Sequence, residues 1–199
     1  MVMPDGTWPN ALDGAVLDAM LAIRSDALTA VMRAVTFVGN TLSLIAIGVA
    51  GVIWLLVRGH RRWAAYCGVT ALVAWGLMGL LKVLFGRVRP PIPPRLVEID
   101  SLSFPSGHAL NSMVVLGVFA VTVCALTGRR WPLAAALAGT AAIGMSRVYL
   151  AAHWMTDVLA GWAVGALVVA VGLWISRRAV TPVRAGPRDR PAAPPSAGP

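Results

Sequence analysis

The chain has 199 residues, of which 58% are hydrophobic and 13% charged, with a formal net charge of +9. A soluble domain carries roughly a quarter charged residues, so this composition excludes an ordinary soluble enzyme. In a membrane chain the positive charge is first a signal of topology, and no nucleic-acid partner is expected from it.

Taken from the N-terminus, MVMPDGTWPN has no basic stretch ahead of an apolar one, and a cleaved signal peptide is not expected. Residues 11–23, ALDGAVLDAMLAI, are apolar but carry Asp13 and Asp18 on a polar side. They are too short and too charged to cross a hydrocarbon core about 30 Å thick, and predict a helix lying on the membrane surface within an interfacial segment, 1–27. Five apolar runs follow, at 28–57, 64–85, 107–127, 131–149 and 154–176. They predict an all-α polytopic membrane bundle of about five transmembrane helices, forming one domain over 28–178. Arg33 and Gly39-Asn40 interrupt the first run, so its spanning part starts close to Thr41. Residues 179–199, rich in Pro, Ala, Gly and Arg, cannot bury a core and are predicted to be disordered.

Cys67 and Cys124 fall inside apolar runs and read as small buried hydrophobes. Trp63, Trp131 and Trp174 fit an aromatic belt at one interface and Trp154 fits the opposite one. The small-residue spacing of GWAVG at 161–165 suits close helix approach, although such motifs are frequent in spans.

Five spans put RGHRRW (58–63), GRRW (128–131) and the tail on one side, with Arg58, Arg61, Arg62, Arg129, Arg130, Arg177 and Arg178. The positive-inside rule makes that side cytoplasmic, in a plasma (inner) membrane. The other side holds seven of the eight acids, yet also Lys82, Arg87, Arg89, Arg95 and Arg147. Basic residues on the wrong side point to a bound anion rather than to topology.

Three polar stretches close or open spans on that outer side: KVLFGRVRP (82–90), PSGH (105–108) and SRVYLAAHWMTD (146–157). Lys82, Arg89 and Arg147 supply cations, and Ser106 a hydroxyl. Gly107 exposes backbone N–H groups at a helix start, where orphan donors and the helix dipole favour an anion. Together these are the parts of a phosphate cradle. His153 and Asp157 are four apart, so on a helix they share a face and the carboxylate can hold one ring nitrogen as N–H. The other nitrogen is then a lone pair suited to attack. His108 is available as a general acid. Each element alone has a plainer reading: a helix stop, a cap, an interfacial histidine, a dipole partner. Their convergence on one face does not. No acidic cluster or His/Cys set suggests a metal, and no cofactor is expected.

The order and spacing of Lys82-x6-Arg89-Pro90, then PSGH, then Ser146-Arg147-x5-His153-x3-Asp157 resembles the three-part signature of the type 2 phosphatidic acid phosphatase superfamily, over roughly residues 35–176. The resemblance implies a metal-independent lipid phosphatase working through a phosphohistidine. His153 would be the nucleophile, Asp157 its orienting carboxylate and His108 the acid that protonates the leaving oxygen. Lys82, Arg89, Ser106, Gly107 and Arg147 would bind the phosphoryl group. Many members of the superfamily have six spans, against five here.

The expected substrate is a lipid phosphate or prenyl diphosphate at the extracytoplasmic face, with polyprenyl diphosphate the attractive choice. Phosphatidylglycerophosphate and phosphatidic acid are alternatives. From another class comes a non-catalytic protein that binds or transports lipid headgroups in the same cradle. The superfamily signature is shared with vanadate-dependent haloperoxidases, but those resemble soluble proteins, and the apolar spans argue against them.

Overall fold

The computed structural model describes residues 9–91 and 94–178; the expectation of a disordered tail lies outside the described residues. Seven helices are described: α1 (Ala11–Ala22), α2 (Asp26–Val38), α3 (Thr41–Val57), α4 (Arg61–Phe85), α5 (Gly107–Thr127), α6 (Trp131–Tyr149) and α7 (Met155–Arg178). Four of them begin at a residue whose side chain accepts from the backbone three positions on: Asn10 from Asp13, Ser25 from Leu28, Asn40 from Ser43 and Ser106 from Ala109. Two end on glycines in the left-handed region, Gly86 at φ +58° and Gly128 at φ +72°.

α5 is the axis of the bundle, in contact with α3, α4, α6 and α7. Half of its most apolar stretch is buried within the protein, against 11% for α4, which therefore turns most of its surface outward to lipid. Leu110, Val114 and Val118 lie one turn apart along α5 and form its packed stripe with Leu55, Tyr66, Cys67 and Ala74. The GWAVG spacing proves to be the α5–α7 seam. A Cβ on Gly161 would lie 2.8 Å from the carbonyl oxygen of Ser106, and one on Gly165 would lie 2.9 Å from that of Leu110. Only glycine lets these two backbones come so close.

Among the described residues, α4, α5 and α7 are long and apolar enough to cross a membrane, and the α2–α3 pair makes a fourth passage if counted as one span. That pair bends by 48° at Gly39-Asn40, where the sequence predicts an interruption. α6 has 19 residues and so rises about 28 Å. It is rich in Ala and Gly and carries Ser146 and Arg147 in its last turns, which leaves it outside the set that passes on apolarity. Over the described residues the chain is an all-helical, multi-pass membrane bundle.

Two expectations need correcting. α1 does not present both of its acids to water: Asp18 is exposed, but Asp13 is 1% exposed. Leu17 packs with Ala151 and Trp154, while Val16 and Met20 join the cluster of Ala109, Val148 and Val158. α1 thus seats on the turn between α6 and α7, and Asp13 is buried because a cation meets it there. Trp154 is likewise buried rather than in an aromatic belt, with its indole N–H donating 3.0 Å to the carbonyl of Val88.

Candidate active site

Three chain segments meet at one end of the bundle: the described parts of the connection from α4 to α5, 86–91 and 94–106, the first turn of α5, and the turn from the end of α6 into α7. Backbone hydrogen bonds tie them together, from Leu96 to Leu150 (3.0 Å), Ser103 to Arg87 (2.7 Å) and Ser106 to Asp157 (3.0 Å). The last of these, with the glycine seam beneath it, sets the PSGH turn against the first turn of α7.

His153 is buried at the centre. Its Nδ1 lies 3.3 Å from Asp157 Oδ2, and its Nε2 lies 2.9 Å from Arg89 Nη1. Asp157 Oδ2 also accepts from the Trp154 N–H at 3.0 Å and the Ser103 hydroxyl at 2.5 Å. A carboxylate oxygen can only accept, so Nδ1 carries the ring proton and Nε2 is the lone pair. Burial pushes the His153 pKa down to about 3, against the opposing pull of the Asp157 hydrogen bond. The imidazole is therefore neutral at physiological pH, with its Nε2 lone pair accepting from the Arg89 guanidinium.

Arg89 sits at Nε2, with Lys82 and Arg147 within electrostatic reach of Arg89. Arg89 spans the cleft, donating to the carbonyls of Ala152 (2.5 Å), Ser101 (2.6 Å) and Leu102 (3.1 Å) and to the Ser101 hydroxyl (3.0 Å). Burial lowers its pKa to about 10, so it stays charged. Lys82, from the end of α4, donates to the Leu102 carbonyl at 2.5 Å. Arg147, 4% exposed, donates to Thr36 at 2.7 Å, while its Nε is buried without a hydrogen-bond partner. Lys82, Arg89 and Arg147 are near enough to repel one another, and Asp157 is the one carboxylate among the charges that act on Lys82. Three cations around one carboxylate, with an orphan guanidinium donor, form a site that an anion would complete.

Ser106 is fully buried, and its hydroxyl caps α5 by accepting from Ala109 N–H at 3.5 Å. Gly107 is the first residue of α5, with Met78 packed against it. His108 follows, facing the Thr36 backbone and the break at Gly39, within electrostatic reach of Arg147, His153 and Arg89. All eight residues singled out in the sequence thus gather at this end of the bundle. Among the described residues, no three of His, Cys, Asp and Glu come together as a metal site.

Other residues of the cluster escaped the sequence reading. Ser103 bonds Asp157, and Arg87 joins Asp157 to Asp13. Thr156 donates to Asp13, and Thr36 supports Arg147. Ser103 had a signal, since it opens the same polar stretch as PSGH. Asp13 had a weaker one, a carboxylate on an otherwise apolar helix.

The PAP2 superfamily model matches residues 62–180. Phosphatidylglycerophosphatase B of Bacillus subtilis (strain 168) is 35% identical over 170 residues, covering 79% of this chain and 80% of that protein. An undecaprenyl-diphosphatase of Sulfolobus acidocaldarius is 36% identical over 138 residues, 67% of this chain and 61% of that one. Among solved structures, the first transmembrane PAP2 type phosphatidylglycerolphosphate phosphatase from Bacillus subtilis superimposes with a TM-score of 0.79 at 27% identity, covering 86% of this chain and 87% of that one. With the three motifs gathered at one end of a matching helical bundle, the chain belongs to the PAP2 superfamily and is a membrane hydrolase acting on phosphoester bonds.

Proposed function

We propose that this chain removes the terminal phosphate of a membrane lipid phosphate or diphosphate through a phosphohistidine on His153. The observation that carries the reading is the His153 ring itself. Its Nδ1 is held by Asp157, and its Nε2 lone pair is aimed at a cluster of cations with too little negative charge of its own. In the first step Nε2 attacks phosphorus, an N–P bond forms and the P–O bond to the leaving oxygen breaks as His108 supplies its proton. In the second, water attacks phosphorus while His108 accepts its proton; the N–P bond breaks and phosphate leaves. Lys82, Arg89, Arg147 and the Ser106–Gly107 helix start hold the phosphoryl oxygens and balance the charge that develops on them. No residue in this scheme calls for a metal.

The relatives' names offer two headgroups, phosphatidylglycerophosphate and undecaprenyl diphosphate. The same cradle suits both, since it grips a terminal phosphoryl group and leaves the lipid tail in the bilayer. On our reading of five passages, with α6 as the fourth, the positive-inside rule makes the arginine-rich loops cytoplasmic and has the site face outward from a plasma membrane. Purified protein is expected to release phosphate from a lipid phosphate in the presence of a chelator, and His153→Ala to abolish release. Activity that survives the substitution, or that the chelator removes, overturns the mechanism. A comparison of kcat/KM across the two headgroups and phosphatidic acid selects the substrate. Labelling of single cysteines at positions 94–104 from outside the cell tests the orientation.

A further inference from the structure

All eight residues singled out in the sequence lie within the segment that the superfamily model matches, 62–180. Yet its central carboxylate is wired to a residue well outside that segment. Arg87 donates through Nη1 to Asp157 Oδ1 and through Nη2 to Asp13 Oδ2, the latter at 2.6 Å. Asp13 also accepts from the backbone N–H of Thr156 at 2.9 Å and from its hydroxyl at 2.8 Å. That hydroxyl in turn accepts from Arg87 Nη1 at 2.7 Å. The side chains of Asp13, Arg87 and Asp157 are no more than 3% exposed.

A buried ion pair can be mere architecture. Here the charge count argues for more. Asp157 must keep its negative charge turned on His153 Nδ1–H, because the ring becomes more positive as Nε2 bonds to phosphorus. An Arg87 serving Asp157 alone would cancel that charge at hydrogen-bond distance. Asp13 divides the guanidinium between two carboxylates and leaves the trio with a net charge of −1. It also fixes the first turn of α7, from which Asp157 projects.

We propose that Asp13 is a positioning residue for the phosphoryl-transfer step, acting through Arg87 and Thr156 on Asp157, and that α1 is therefore a working part of the active site. This rests on His153 being the nucleophile. Because Asp13 touches none of the phosphate-binding cations, its loss affects the chemical step and not binding.

The test uses the full chain in lipid nanodiscs and phosphate release from a lipid phosphate. Asp13→Asn is expected to lower kcat roughly ten- to a hundredfold, the scale of one charge-assisted hydrogen bond felt in the transition state, with KM within about twofold. Asp13→Glu restores part of the loss. Leu55→Ala, at a buried position near the far end of α3, loosens the core away from α1 and the site, and is expected to lower Tm while keeping kcat within about twofold of wild type. Wild-type kcat in Asp13→Asn overturns the proposal, and so does a Leu55→Ala variant that loses as much kcat as Asp13→Asn. If Asp13→Asn does not yield folded protein, Thr156→Val reads the same link, with a severalfold loss of kcat at unchanged KM expected and wild-type kcat overturning it. The two readings fail separately: phosphate release that persists in His153→Ala sinks the nucleophile, whereas wild-type turnover in Asp13→Asn sinks only the role of α1.

Discussion

The two ends of the α5–α7 and α3–α4 packing are built on opposite principles. At the site end, backbones touch through Gly161 and Gly165, and buried polar groups are held by partners far away in sequence. Deeper in the bundle, α3, α4 and α5 leave an apolar groove of about 520 Å³ beside Val52, Ala71 and Val118, and a second of about 500 Å³ lies between α4 and α7. Gly48 on α3, which lines the first groove, has open space where a Cβ would go. The difference follows from the solvent. In lipid, apolar side chains gain little by leaving one hydrocarbon environment for another, so helices there need not close up. Fixed geometry is concentrated where polar groups must be satisfied.

If this contrast is right, substitutions at the site end should be costly and those in the groove cheap. The largest effect is expected for Asp157→Asn. Removing the carboxylate that holds His153 in its reactive tautomer should cost roughly three to four orders of magnitude in kcat, by analogy with other His–Asp pairs. Acidification comes next. Burial holds folded His153 near pKa 3, whereas the unfolded chain takes up that proton near 6.5. The protein is then most stable above pH 6.5, and stability falls as pH drops from 6.5 towards 3, by up to about 1.4 kcal/mol per pH unit from this group. Thermal unfolding of His153→Gln should show a shallower decline over that window than wild type; an equal slope refutes the assignment.

Gly161→Ala drives a methyl group into the Ser106 carbonyl, and should destabilise by about 1–3 kcal/mol and lower kcat by shifting the PSGH turn. Ser103→Ala removes one of the donors to Asp157 and should slow turnover roughly tenfold, measured as kcat with KM little changed. Gly48→Ala puts a methyl group into the open groove from a helix, and should stabilise by about 0.5–1 kcal/mol in a Tm comparison. A stabilised Gly161→Ala, or a strongly destabilised Gly48→Ala, would erase the distinction between the two regions.

Much of the site was legible in one dimension because its groups are local patterns. The spacing of His153 and Asp157 is a helical turn, Ser106 precedes a helix start, and the cations sit where lipid-facing chain should have none. The interruption at Gly39-Asn40 and the glycine seam of α7 were also written in residue type. Asp13, Arg87 and Thr36 were not readable in this way. Asp13 and Arg87 are 74 positions apart, and Thr36 and Arg147 are 111 apart. A lone acid on an apolar helix reads as solvated until its partner is known. Trp154 misled for a related reason: an indole near a span end suits a lipid interface unless another segment covers it, and here α1 does.

The sequence by itself determined that this is a helical membrane protein, which segments are helical, and which side chains have the functional groups that a phosphate site would use. Those follow from hydropathy, periodicity and functional groups, all local properties. The tertiary structure alone decided that α1 closes over the α6–α7 turn, that Arg87 is shared by two carboxylates, and which nitrogen of His153 carries the lone pair. Those depend on distances between remote segments, and the energy of a buried charge is set by what stands beside it in space.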